Sequence, residues 1–217
     1  MKKLLAMTMC LIMAAGVLAG CGGDSKETTA AATTAANAAT TAADGSDAAG
    51  GTSGEVTGGM CEMPIILTSV GQSADVNVVE TLFKKAEVEV TLNNTITADE
   101  LSGYKTLVLA IGGSSKGLGA AGIDENQELE RVNALITEAK NQGMKILSMH
   151  IGGSQRRGTL SDKFIPDAIS AANAAIILAE GDSDNMMKDL LNAGNIPSVY
   201  ITTQVEAIEP IQLIFGK

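Results

Sequence analysis

Short apolar runs rich in β-branched residues alternate with helical periodicity from Ile65 onward. That alternation restricts the fold more than any other feature of the chain. Ile65-Ile66-Leu67-Thr68-Ser69 reads as a first strand. Val76, Val79, Leu82, Phe83 and Ala86 follow at helical spacing, with Ser73 or Asp75 available as a cap. Residues 87–92 alternate polar and apolar side chains, as a half-exposed strand does. Thr97-Ala98-Asp99-Glu100 is a capping box for a short helical turn ending at Gly103. Thr106-Leu107-Val108-Leu109-Ala110-Ile111 is continuously apolar, the pattern of a central parallel strand. A helix is expected from Asp124, with Leu129, Val132, Leu135, Ile136 and Ala139 on one face and Gly143 past its end. Then come a strand over 145–151, a helix over 161–173 and a strand over 175–179. A helix over 184–192 carries Met186, Met187, Leu190 and Leu191 as core residues, and a strand over 198–202 follows. The tail over 205–215 reads as a helix broken around Pro210.

Strand and helix alternating in this way predict an α/β fold: a single doubly wound, mostly parallel sheet in a three-layer sandwich. The expected strand order is flavodoxin-like, 2-1-3-4-5, with the last strand appended at the edge. The folded domain is assigned to residues 60–217. Ahead of it, residues 22–58 are nearly all Ala, Thr, Gly, Ser, Asp and Asn, including Thr28-Thr29-Ala30-Ala31-Ala32-Thr33-Thr34. With no periodic apolar face to offset the entropy of ordering, this stretch reads as a flexible spacer with a reach of about 35 Å.

At the start, Lys2 and Lys3 precede an apolar run from Leu4 to Leu18, followed by Ala19-Gly20-Cys21. A basic start, a short apolar core and small residues at a cut site make an export signal over residues 1–20. The run is too short for a membrane span of about 20 residues. Leu18-Ala19-Gly20-Cys21 resembles the lipobox of bacterial lipoproteins. That resemblance implies a diacylglyceryl group on Cys21, which becomes the new N-terminus, and an extracytoplasmic domain tethered to the bilayer. Residues 21–59 are then the lipidated cysteine and its spacer. Outside the cytoplasm ATP and NADH are not at hand, so no soluble cofactor is expected. Cys10 leaves with the signal, Cys21 is acylated, and Cys61 remains alone, so no intrachain disulfide is available.

The formal net charge is −10, which argues against nucleic acid as a partner. Aromatic content is 2% with no Trp, which argues against sugar polymers and choline-like cations, both held on aromatic faces. No Cys/His cluster offers a zinc site. Asp75, Asp182 and Asp184 could take a hard cation, but acidic helix caps are the commoner use.

In an open parallel sheet, ligands bind outside the carboxyl ends of the strands, near the reversal of strand order. The residues expected there are Gly71, Gln72, Ser73 and Asp75 after the first strand, then Gly112, Gly113, Ser114, Ser115 and Lys116 after the third. Gly152, Gly153, Ser154, Arg156 and Arg157 follow the fourth. Ile111-Gly112-Gly113-Ser114 and Ile151-Gly152-Gly153-Ser154 echo each other. Glycines let backbone N–H groups approach an anion, and Lys116, Arg156 and Arg157 add positive charge. These loops predict a site for a small anionic molecule, serving a membrane transporter or sensor. An envelope scaffold binding a protein partner is the reading from another class.

Gly113-Ser114-Ser115-Lys116-Gly117-Leu118-Gly119 resembles the GxxxGxG cofactor loop of short-chain dehydrogenases. It stands on the third strand rather than the first, and no Tyr-x-x-x-Lys follows. Gly71-Gln72-Ser73 is similar to the nucleophile block of SGNH-type esterases, which implies Ser73 as nucleophile and His150, the sole histidine, as base. That family carries its histidine in an Asp-x-x-His near the C-terminus, whereas His150 is mid-domain, and no Gly-x-Asn-Asp block is present. Thr68-Ser69-x-Gly71-Gln72-Ser73-x-Asp75 and the Gly-Gly-Ser-Ser-Lys-Gly loop also resemble a set of small exported bacterial α/β domains. That resemblance implies the fold over residues 63–217 and attaches no activity.

Overall fold

The computed structural model describes residues 54–217. The export signal, Cys10, Cys21 and the spacer up to residue 53 lie outside the described residues. Six parallel strands form one sheet in the order β2-β1-β3-β4-β5-β6. They are β1 (Ile65–Val70), β2 (Thr91–Leu92), β3 (Thr106–Ile111), β4 (Lys145–His150), β5 (Ala174–Leu178) and β6 (Ser198–Ile201). The helices are α1 (Asp75–Lys85), α2 (Ser115–Ala121), α3 (Glu125–Asn141), α4 (Ile165–Ser170), α5 (Met186–Ala193) and α6 (Ile208–Ile214). The α/β class and the expected order, last strand at the edge included, are both found.

The central strands are apolar throughout because both faces of the sheet are covered. Alternate residues divide between two cores. Ile66, Leu107, Leu109 and Ile111 face α3, α4 and α5, meeting Val132, Leu135, Ile165 and Leu191. Leu67, Val108 and Ala110 face α1 and α6, meeting Val79, Phe83, Ile211 and Ile214. Phe83 and Phe215 close the second core edge to face, with ring centroids 5.6 Å apart at 65°. Of the methionine–leucine face on α5, Met187 and Leu191 are buried, while Met186 and Leu190 pack at its margin.

Several boundaries differ from expectation for local reasons. The strand expected over 87–92 pairs with β1 only at Thr91 and Leu92. Glu87 is left-handed (φ 58°), and Val88 turns into the core instead of extending the ladder. The helix expected over 161–173 is a 3-10 turn (Ser161–Lys163) followed by α4, whose early Pro166 suits a helix start. In the tail the break falls between a 3-10 turn (Gln204–Ala207) and α6. Pro210 sits in the first turn of α6, where a backbone N–H has no helical acceptor in any case.

Residues 54–59, assigned to the spacer on composition, pack on the domain. Val56 is buried, Ser198 donates its N–H to Gly54 O (3.1 Å), and Gly59 donates to Leu213 O (3.3 Å). The chain therefore enters at the amino end of β6 and crosses the end of α6 to reach β1.

Candidate functional site

The loops after β1 and β3 are fused backbone to backbone. Ser114 donates its N–H to Gly71 O (2.8 Å), and Gln72 forms an antiparallel bridge with Gly113. Gly71 is left-handed (φ 95°), and a Cβ there would stand 2.7 Å from Gly112 O and 2.9 Å from Gly113 Cα. Only glycine fits that turn. Gln72, next to it, is also left-handed (φ 59°), a strained state for a residue with a side chain.

A buried ion pair holds that strain. Glu128, in the first turn of α3, is fully buried. It accepts from Gly71 N–H (2.9 Å) and from the Gln72 amide (3.1 and 3.2 Å). Arg131 grips the same carboxylate at 2.8 and 2.9 Å. Its remaining N–H groups reach Ser69 O (2.6 Å), Ile96 O (3.0 Å) and Thr68 Oγ1 (3.3 Å). The Gln72 Nε2 also donates to Asn94 O (2.9 Å), tying in the loop after β2. Sequence reasoning missed this pair. Its signal was there: Glu128 lies four residues before Val132, in line with the apolar stripe of α3, where a charge needs a partner.

The glycine echo has a different use from the one expected. A Cβ on Gly112 would stand 2.8 Å from Ser73 Oγ and 3.1 Å from both Arg156 Cδ and Asp75 Oδ2. A Cβ on Gly152 would run into Arg156 Cγ and Asp75 Oδ2. The two glycines thus make the bed for an ion pair, Arg156 Nε to Asp75 Oδ2 at 2.7 Å, which fills the space between the loops after β1, β3 and β4. Arg157 is spent as well. Its Nε binds Asp162 (2.8 Å), both Nη groups bind Asp184 (2.9 and 2.8 Å), and Nη1 reaches Gly181 O (2.6 Å). Those carboxylates hold the guanidinium charged, and Arg157 in turn holds the Asp184 carboxyl down at about 2. Ser154 Oγ donates to Glu180 (2.5 Å), and left-handed Gly153 (φ 59°) packs against Glu180 and Leu178.

The loops converge as expected, but the electropositive hollow built from three basic residues does not. Arg156 and Arg157 are paired with aspartates, and Lys116 alone remains at an open wall. Asp75, Asp182 and Asp184 serve as ion-pair partners and caps. Asp182 takes the Met187 and Lys188 N–H groups of α5 (2.7 and 2.9 Å) and the Tyr200 hydroxyl (2.6 Å).

The open concavity is a cleft of about 530 Å³ beside the reversal of strand order, lined by Gln72, Ser73, Asn77, Asn94, Ser114 and Lys116 among others. The first turns of α1 and α2 both form its wall. Residues 112–124, between β3 and α3, contain α2: Ser114 caps it by accepting from Gly117 N–H (3.1 Å), and left-handed Gly122 ends it. Ser115 is exposed on the first turn of α2.

Ser73 and His150 share no hydrogen bond among the described residues. Ser73 is buried, and its Oγ accepts from Asp75 N–H (3.3 Å). His150, fully buried, donates Nε2–H to Arg156 O (3.0 Å), and burial lowers its pKa below the ordinary value. Cys61 is buried, and burial pushes its thiol up to about 11, so it stays an unreactive thiol.

The family model described as "Domain of unknown function (DUF6305)" matches residues 62–215. The chain belongs to the DUF6305 family. No curated protein sequence matches it. Among solved structures, the DUF6305 domain is similar to a crystal structure of psychrotrophic esterase EstA from Pseudoalteromonas sp., inhibited by monoethylphosphonate. Identity is 14%, the match covers 68% of this chain and 91% of that one, and the TM-score is 0.30. A likeness at that level says nothing about chemistry. No helix among the described residues is long and apolar enough to cross a membrane.

Proposed function

We propose that this chain is a membrane-anchored extracytoplasmic lipoprotein whose DUF6305 domain binds a small anionic solute in the cleft between α1, α2 and the loop after β2. The observation that carries the binding reading is the character of the cleft wall. It stands at the carboxyl ends of the strands where their order reverses, and its single charged residue is Lys116, with no carboxylate within 4.0 Å among the described residues. Asn77, Asn94, Ser73 and Ser114 supply neutral polar contacts. On an acidic chain that combination selects for negative charge.

The anchor reading rests on Leu18-Ala19-Gly20-Cys21. The spacer joins the domain at Gly54, beside the amino end of β6, while the cleft opens at the carboxyl ends of the strands. Metabolic labelling with a fatty-acid probe tests the anchor: wild type is expected to incorporate the label and Cys21→Ser to lose it.

A thermal-shift panel of small carboxylates, phosphates and neutral nucleosides on the intact chain tests the site. At least one anion is expected to raise Tm, by up to about 2.7 kcal/mol of stabilisation at a hundredfold excess over Kd. Lys116→Gln should weaken that anion about tenfold, the worth of one charge-assisted contact, without moving the unliganded Tm. An anion panel with no shift, or equal binding by Lys116→Gln, overturns the reading.

A further inference from the structure

His150 is the sole histidine of the chain, and it is fully buried at the end of β4. Its Nε2 faces the Arg156 carbonyl at 3.0 Å, so Nε2 carries the proton and Nδ1 presents a lone pair. Among the described residues that Nδ1 has no partner, and it is shut from solvent. Gly181 is pressed against it: a Cβ on Gly181 would stand 2.8 Å from Nδ1 and 2.7 Å from Cε1. The ring is therefore hydrogen-bonded through Nε2 alone, to the turn Gly153–Arg156, with Gly181 packed against its other edge. That turn, through Arg156, bridges to Asp75 at the start of α1, next to Ser73 in the cleft wall.

The charged groups around the ring are already committed. Arg156 is bound to Asp75, and Arg157 to Asp162 and Asp184. On the facing 3-10 turn (Ala179–Asp182), Glu180 accepts from Ser154, and Asp182 caps α5 and binds Tyr200. Among the described residues no free carboxylate is placed to receive a second imidazole N–H; burial and the Arg157 cation act against a charged ring, and the Asp75 carboxylate, already bound to Arg156, acts more weakly in its favour.

We propose that His150 is a proton-operated latch: a proton taken up at its buried Nδ1 forces the ring out of its seat, breaks the bond to the Arg156 carbonyl and frees the turn that carries the Arg156–Asp75 bridge. A new N–H⁺ at Nδ1 would have no acceptor in a site without solvent, which is among the least tolerable states for a charge. The bistable element is a one-turn loop, short enough to open without unfolding the sheet. Resting on the proposed export, the latch would register acidification outside the cell. It is independent of what the cleft holds.

With a single histidine, the imidazole resonances of the intact chain follow one site without ambiguity. NMR titration from pH 8 to pH 4.5 should place the midpoint below the ordinary 6.5. Over the same interval, amide exchange at Arg157 and Gly158, corrected for intrinsic pH dependence, should quicken about tenfold, while β3 and β4 amides hold. His150→Gln keeps a donor for the Arg156 carbonyl and cannot titrate, so its corrected exchange should be flat. A midpoint at or above 6.5, turn exchange unaltered across the titration, or the same acid response in His150→Gln overturns the latch. Should that variant fail to fold, the wild-type titration and exchange decide by themselves.

Discussion

Gly117 lies in the first turn of α2, where alanine is normally the better residue by about 1 kcal/mol. Here a Cβ would strike the backbone carbonyl of Gln72, which the Glu128 network and the bridge to Gly113 hold in place. A carbonyl pinned from two sides cannot give way, so the collision outweighs the helix propensity. Gly117→Ala is expected to destabilise by about 1–3 kcal/mol and to distort the cleft wall. Gly119, one position on from Leu118, has nothing within 4 Å of its would-be Cβ. Gly119→Ala should instead be neutral or stabilising by up to about 1 kcal/mol. Urea denaturation of the two variants checks the contrast, and equal effects would mean that α2 is not docked on the β1 loop. The sequence marks both glycines alike, since the difference between them is a carbonyl supplied from forty-odd residues away.

At the scale of elements, the buried Glu128–Arg131 pair couples α3 to the end of β1 and the loop after β2. Removing one partner leaves a buried charge uncompensated, which costs about 3–5 kcal/mol, whereas removing both leaves only lost hydrogen bonds. Glu128→Ala and Arg131→Ala should each destabilise heavily, and the double variant by well under their sum. A double-mutant cycle from chemical denaturation measures this, and strict additivity would show that the pair is not one unit. Helices α1 and α3 were legible from their apolar periodicity, and α3 also from its Asp124–Gln127 capping box, which is formed. Helix α2 was not, because Gly117 and Gly119 depress its propensity and only packing on the β1 loop and the Ser114 cap sustain it. Most of β2 was over-read: its alternation reports burial of Val88 and Val90 against the core, without a partner strand for their backbone.

At the scale of the whole molecule, acid acts in two windows. His150 has a lowered pKa, so the unfolded chain binds its proton before the folded one does. Stability is then full above about 6.5 and falls as pH drops from there to the folded value. Asp184 and Glu206 are held down at about 2, by Arg157 and by Thr202 and Thr203 respectively. Their stabilising contribution is present above the ordinary carboxylate range and is lost as pH falls toward 2. Urea midpoints across pH 8 to 2.5 should therefore decline in two steps, the first absent from His150→Gln. A midpoint that stays level until pH falls below the carboxylate range would contradict the burial of His150.

Local sequence by itself determined the alternation of elements, a mostly parallel pairing and the pole at which loops gather. Apolar periodicity and chain connectivity are properties of consecutive residues, and the right-handed crossover leaves few ways to wind them. Tertiary structure alone decided which of the gathered groups are free. Asp75 meets Arg156 and Arg157 meets Asp184 across long separations in the chain. Charge pairing at a distance depends on side chains that meet only after the sheet has formed. Lys116 was left open, and His150 was left with an unanswered nitrogen, by that same late pairing.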